Sequence, residues 1–187
     1  MNLPAPKHAP ARFRSYIGAH NRHIGQLRTT GFIGADTLGL IAWPQQLVMV
    51  GDVGCLGDIT LTVEKYLRVL TADASPSDVL DGDHDIVVQT YIYSYHASVR
   101  GHGPILRYDN NHGRPGHADS HHVHRCDWRK DDDVGHVQWI GEDDWPTLGE
   151  VIQELMEWYY ANRDELPRPD EYAEPLARAP RILGDPT

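Results

Sequence analysis

Apolar and polar residues alternate most regularly from Asp58 to Leu70, and a second candidate strand runs from Ile86 to His96. A period of two is typical of a strand, because successive side chains point to opposite faces. In the first segment Lys65 is the one residue that interrupts the apolar parity. The second segment is rich in β-branched and aromatic residues, which favour strands. The pattern therefore predicts two long strands, and the first of them has one buried face and one solvent-exposed face.

Weaker strand patterns lie on either side of these two segments. They cover Leu47–Val53, Ile105–Asn110, His121–Trp128 and His136–Ile140. Parity predicts which side chains share a face of each strand. In the segment His121–Trp128, one face is predicted to carry His122, His124, Cys126 and Trp128.

One amphipathic helix is predicted to begin after Thr147. Thr147 and Glu150 form a capping box, in which the side chains accept hydrogen bonds from free backbone N–H groups of the first turn. An apolar stripe at helical spacing follows, made of Leu148, Val151, Ile152, Leu155, Met156 and Tyr159. Pro167 ends the helical pattern, because proline cannot continue a helix.

These elements predict an α+β fold, an antiparallel sheet of four or five strands with a long C-terminal helix packed on one face. This single domain is predicted to span residues 47–166. Residues 1–46 are predicted to be a basic, partly ordered N-terminal arm, since residues 1–30 hold five Lys or Arg and no acid. Residues 167–187 contain five prolines and are predicted to be a mobile tail.

Charge and composition narrow the classes of function. The 187-residue chain has a net charge of −10, which argues against nonspecific coating of nucleic acid. The segment His96–Lys130 nevertheless holds six Lys or Arg and only three Asp or Glu, which suits one anionic substrate or pairing with the acidic surface. Two cysteines favour a reduced, cytoplasmic protein. No apolar run approaches membrane-spanning length.

Histidines mark the candidate site. Seven of the twelve lie between His96 and His124. Imidazole exchanges protons near neutral pH and also binds metals. His122 and His124 are two apart on a predicted strand, so both could serve one phosphate or one divalent metal ion such as zinc. The candidates for further metal ligands are Cys126, His112, His117 and His96. A surface strand of histidines without a site is the alternative interpretation.

Other side chains near the histidines can also be interpreted either as part of a site or as ordinary structural residues. Arg107 offers a planar fork that matches phosphate or carboxylate oxygens. Asp109 shares its face and could orient a histidine or simply pair with Arg107. Asp109-Asn110 is also ordinary turn chemistry. An aromatic row that ends at Tyr95 could stack RNA bases, although packing under a helix is the favoured interpretation.

Four sequence blocks, taken together and in order, resemble the TumE-like family, small prokaryotic proteins assigned as toxins of toxin–antitoxin pairs. The blocks are Tyr93-Ser94-Tyr95-His96, Leu106-Arg107-Tyr108-Asp109-Asn110, His121-His122-Val123-His124 and Trp145-Pro146-Thr147-Leu148-Gly149-Glu150-Val151. The resemblance covers roughly residues 50–165. It implies an antitoxin partner with a DNA-binding segment. The site positions that it carries over are Tyr95, His96, Arg107, Tyr108, Asp109, Asn110, His121, His122 and His124.

The leading hypothesis is a toxin-like, metal-independent ribonuclease. RNA cleavage needs a base, an acid and a cation, for which His122, His124 and Arg107 are the candidates. His96 is the substitute for either histidine, and Asp109 would orient one of them. The candidate substrate-binding residues are Tyr95, Tyr108, Asn110, His121 and Arg125.

Two other hypotheses use the same residues. In a metal-dependent, zinc-type hydrolase or nuclease, His122, His124 and Cys126 would hold the metal. In a non-catalytic binding protein, the histidine-rich strand would only contact a partner, and a homodimer is left open.

Overall fold

The computed structural model describes residues 7–82, 85–111, 121–130, 136–141 and 143–180. Within these ranges one antiparallel sheet contains nine strands. They are β1 (Ala11–Arg12), β2 (Ile33–Asp36), β3 (Gly39–Trp43), β4 (Gln46–Cys55), β5 (Ile59–Val69), β6 (Val87–Val99), β7 (Pro104–Asp109), β8 (His122–Arg125) and β9 (His136–Trp139). The helices are α1 (Phe13–Arg28), α2 (Pro76–Leu80) and α3 (Leu148–Asn162), and a short 3-10 turn follows at Arg163–Glu165.

The sheet is almost a continuous meander. Its main order is β2-β4-β5-β6-β7-β8-β9, while β3 also pairs with β4 and β1 pairs with β6. The predicted α+β class, with an antiparallel sheet and a C-terminal helix, is confirmed. The predicted number of four or five strands is wrong, since nine strands occur within the described residues. The strands that were missed are short, and glycines at Gly34 and Gly39 remove the side chains that would have shown an alternating pattern.

One face of the sheet carries the main core. Apolar side chains of β5, such as Ile59, Leu61 and Val63, are fully buried there. The stripe of α3 packs on this face through Val151, Ile152 and other apolar residues. Helix α1 adds Ile24 and Leu27 to the same cluster and Phe13 to a neighbouring one. The opposite side of the sheet holds a smaller apolar cluster of Val48, Val50 and Tyr66 and, on β6 to β8, mostly polar residues.

The start of α3 is fixed by the predicted capping box, which is confirmed. The Thr147 hydroxyl accepts a hydrogen bond from the Glu150 N–H at 3.3 Å, and the Glu150 carboxylate accepts one from the Thr147 N–H at 2.7 Å. The box satisfies two backbone donors that the first helical turn would otherwise leave without acceptors.

Both ends of the described chain contact the sheet. Helix α1 and strands β1–β3 lie in residues 11–43, within the segment predicted to be an arm. Beyond Leu166, the Ala173 N–H donates to the Cys55 carbonyl at 3.0 Å, and Arg178 Nε donates to the Asp52 carboxylate at 2.6 Å. Residues 181–187 of the predicted tail, together with His112 and His117, lie outside the described residues. No helix in the described ranges is both long and apolar enough to cross a membrane.

Candidate functional site

Strands β6, β7 and β8 place the candidate site on the polar face of the sheet. In one row across the sheet, His96 pairs with Arg107, and Arg107 pairs with His124. In the next row, Ser94 pairs with Asp109, and Asp109 pairs with His122. Cross-strand partners point to the same face, so the register brings these side chains together from three strands. We call Arg107, Asp109, His122 and His124 the candidate catalytic cluster.

The guanidinium of Arg107 contacts the ring of His124 directly. Arg107 Nη2 lies 3.1 Å from His124 Nε2. A guanidinium nitrogen can only donate, so His124 Nε2 must be the acceptor and carries no proton. The ring of His124 is therefore presented in the form that can accept a proton.

His122 has the complementary arrangement, because its partner is a carboxylate. His122 Nε2 lies 3.2 Å from Asp109 Oδ1. An ionised carboxylate only accepts hydrogen bonds, so His122 Nε2 carries a proton in this contact. The rings of His122 and His124 have centroids 5.0 Å apart. A proton-bearing and a proton-accepting nitrogen thus belong to neighbouring rings.

Asp109 links the cluster electrostatically. Its other oxygen, Oδ2, lies 3.0 Å from Arg107 Nε, and the Asp109 side chain is only 4% exposed. The Arg107 Nε–H is not aligned with this oxygen for a hydrogen bond, and it has no other hydrogen-bond partner among the described residues. Since a guanidinium has five N–H donors, Arg107 keeps donor capacity for an incoming anion.

The cluster is mostly buried and is approached through Arg107. His122 and His124 are buried, whereas the Arg107 side chain is 28% exposed and His96 is half-buried beside it. Three cavities formed by the described residues are lined by other parts of the chain. The half-buried guanidinium is therefore the part of the cluster that a phosphate would meet first.

Three members of the cluster are also arranged as metal donors. One ligand atom each from Asp109, His122 and His124 lies within 4.8 Å of the others. A carboxylate and two imidazoles are a common donor set for catalytic zinc, which leaves a further position open. Cys126 is not part of this group, because β8 ends at Arg125 and the predicted alternation does not continue to it.

The polar face also holds acids that the sequence analysis left out of the site. Glu64 pairs across the sheet with Ser94, the neighbour of Asp109 in the register. Asp52 is fully buried and accepts a hydrogen bond from the Thr62 hydroxyl at 2.9 Å. Glu64 could have been noticed because it occupies one of the polar, solvent-facing positions of β5. The alternation within one strand does not show, however, which strand lies next to it.

Tyr95, Tyr108 and Arg125 lie on the opposite, helix-covered face. Tyr95 is fully buried there. The Tyr108 hydroxyl donates to Glu154 on α3 at 2.7 Å, and Arg125 pairs with the same carboxylate. Burial, followed by the adjacent Glu154 carboxylate, raises the pKa of Tyr108 to about 12. The structure thus separates these three predicted substrate-binding residues from the candidate catalytic cluster by the thickness of the sheet.

His121 and Asn110 contact the backbone and the aromatic core. The ring of His121 lies near those of Tyr93 and Trp145, and its Nδ1 is 3.3 Å from the Tyr93 hydroxyl. Asn110 accepts a hydrogen bond from the Tyr93 N–H at 2.9 Å and donates one to the Tyr91 carbonyl at 2.8 Å. Asn110 therefore fixes the end of β7 to the middle of β6, and His121 packs against the aromatic core.

Of the ten predicted catalytic and substrate-binding residues, the polar face thus gathers His96, Arg107, Asp109, His122 and His124. Comparison with known proteins adds no assignment to this geometry: no family model, no curated protein and no solved structure matches the chain.

Proposed function

We propose that the chain is a metal-independent ribonuclease that uses the candidate catalytic cluster for acid–base chemistry. The observation that carries this proposal is the pair of neighbouring histidines in complementary protonation states, one held by Arg107 and the other by Asp109. Cleavage of RNA by its own 2′-hydroxyl requires both states at once, together with a cation near the phosphate.

The proposed reaction begins when a phosphate of the RNA backbone binds Arg107. The phosphate competes with His124 for the guanidinium, so His124 Nε2 becomes available to take the 2′-hydroxyl proton. The 2′-oxygen then attacks phosphorus, and the bond from phosphorus to the 5′-oxygen breaks. His122 acts as the imidazolium: Asp109 holds the Nε2–H and so stabilises and orients the charged ring, while Nδ1 gives its proton to the departing oxygen. The products are a 2′,3′-cyclic phosphate and a 5′-hydroxyl.

The proposal predicts cleavage that needs a 2′-hydroxyl and no metal. A labelled single-stranded RNA and a DNA of the same sequence are incubated with the purified protein in excess EDTA at pH 7. We expect the RNA to be cut with cyclic phosphate ends and the DNA to stay intact. RNA that stays intact both with EDTA and with added zinc or magnesium would instead favour a protein that only binds a partner.

A metal-dependent hydrolase is the second candidate function, and the donor atoms of Asp109, His122 and His124 favour it. The Arg107 guanidinium opposes it, because a cation on His124 Nε2 competes with a metal ion for the same lone pair. We expect the wild-type protein to bind zinc weakly and Arg107→Met to bind it more tightly, as measured by calorimetric titration. One tightly bound zinc per wild-type chain, lost in His122→Asn, would favour the metal-dependent function.

The biological setting remains part of the proposal. The resemblance of the ordered sequence blocks to the TumE-like family supports a toxin role, with an antitoxin as partner. A ribonuclease toxin acts where RNA is present, so we place it in the cytoplasm. The net charge of −10 favours a basic surface on the partner, since opposite charge speeds association.

A further inference from the structure

A lysine is buried on the opposite face of the sheet, far from any role in the candidate catalytic cluster. Lys65 on β5 is 8% exposed and pairs across the sheet with Met49 and Tyr93. Its ammonium lies 4.8 Å from the centroid of the Tyr16 ring. A buried ammonium is normally paired with a carboxylate, because removing the charge from water is costly.

No carboxylate pairs with Lys65 in the part of the chain that the structure describes. Its ammonium forms a hydrogen bond with the Tyr16 side chain and also interacts electrostatically with Tyr95. The Tyr95 hydroxyl is itself buried and has no hydrogen-bond partner among the described residues. A buried ammonium without a carboxylate and an unsatisfied hydroxyl thus lie near each other, and the ammonium has further N–H donors for an acceptor that these residues do not supply.

Lys65 lines a cavity of about 260 Å³ between α1, the sheet and the start of α3. Leu148 and Gly149, the first two residues of α3, also line it. Their N–H groups have no acceptor within the helix, and the helix dipole makes this end positive. The ammonium and the helix terminus therefore present positive charge to the same space.

Three of the four other basic side chains that line the cavity, Lys7, His8 and His20, contribute no free charge of their own, and the fourth, His23, lies against Gly149. Lys7 is paired with Glu150 at 2.6 Å. Burial, together with the charge of Lys65, lowers the pKa of both His8 and His20 to about 4, so both rings are neutral at pH 7. Lys65 is thus the one lysine of the cavity wall without a carboxylate partner, and its charge is the one left to be compensated among these lysines.

The walls of the cavity suit an anion that also carries an apolar group. Tyr16, Ile24 and Leu148 supply aromatic and aliphatic surface. A single positive charge suits a carboxylate better than a phosphate dianion, which would bring one more negative charge than the site compensates. A compact volume excludes large ligands, since pockets for drug-sized molecules start near 300 Å³.

We propose that this cavity is a binding site for a compact organic monocarboxylate, whose carboxylate is held by Lys65 and the first N–H groups of α3. Tyr95 does not line the cavity, and its hydroxyl acts on the site only through the neighbouring Lys65 ammonium. The site is independent of the candidate catalytic cluster, because the two lie on opposite faces of the sheet.

Calorimetric titration of the full chain at pH 7 tests this proposal with benzoate as the probe. Benzyl alcohol is the neutral control with the same ring, and inorganic phosphate is the control for charge. We expect one benzoate per chain, with binding at least tenfold tighter than that of either control. At ten times its dissociation constant, benzoate should raise Tm by roughly 3–5 °C.

Variants locate the binding. Lys65→Met should weaken benzoate binding at least tenfold, and Tyr95→Phe, which keeps the ring in the core, should weaken it several-fold. Lys7→Met, whose lysine lines the cavity but is already paired, should change it less than threefold. The proposal is overturned if benzoate neither binds nor raises Tm at 10 mM, if benzyl alcohol or phosphate binds as tightly, or if Lys65→Met binds benzoate like the wild type.

Discussion

Replacing His124 with asparagine is expected to slow RNA cleavage about 1000-fold, which corresponds to about 4 kcal/mol of lost transition-state stabilisation. Asparagine keeps a polar side chain opposite Arg107 but cannot take up a proton at neutral pH. Initial rates are compared in EDTA on one labelled RNA. His124 is buried in the cluster, so the free energy of unfolding of the variant is measured alongside the rate.

The matched control is His136→Asn. His136 lies on β9 opposite Arg125, so its side chain belongs to the other face, and it is exposed. We expect this variant to cleave RNA within twofold of the wild-type rate. A His124→Asn protein that is folded and still cleaves at the wild-type rate would remove His124 as the base.

Replacing Asp109 with alanine is expected to lower the free energy of unfolding by about 3 kcal/mol. The change leaves Arg107 and His122 without the carboxylate that both contact in a buried place. The effect stays at the low end of the range for broken buried pairs, because the Arg107 side chain is 28% exposed and water compensates part of the loss. Urea unfolding with an unchanged m-value measures it.

Asp127→Ala is the control for a surface acid. Asp127 pairs with Lys130 at 3.2 Å, but its side chain is 39% exposed, so its removal should change stability little. Asp109→Ala and Arg107→Met together should destabilise less than the sum of the single changes, since the two groups contact each other. Equal losses for Asp109→Ala and Asp127→Ala would contradict the linking role of Asp109.

Much of the site could be predicted because parity within a strand fixes which residues share a face. Arg107 with Asp109, and His122 with His124, follow directly from a period of two. The convergence of these pairs could not be predicted, because pairing and register depend on partners distant in the chain. The β6–β7–β8 meander supplies that register.

The predicted substrate-binding set failed to converge for the same physical reason. Tyr95 precedes His96, and Tyr108 lies between Arg107 and Asp109, so motif neighbours point to opposite faces of the sheet. A block of consecutive motif residues in a strand therefore mixes a site with a core. Only the alternate members belong together.

Helix α1 was missed because its local signals are weak. It has no side-chain cap at Arg12 and no acid in its first turn, and most of its surface is polar. Packing of Phe13, Ile24 and Leu27 against the sheet and α3 stabilises it instead. Tertiary contacts of this kind decide most helices and cannot be read from propensity.

The central physical claim is that His122 and His124 hold complementary protonation states beside Arg107. Long-range proton–nitrogen NMR of histidine-labelled protein at pH 7 measures this directly, since it distinguishes a bare ring nitrogen from a protonated one. The account predicts a bare Nε2 on His124 that changes in Arg107→Met, and a protonated Nε2 on His122. A protonated Nε2 on His124, or a His124 signal that is unaffected by Arg107→Met, would contradict it.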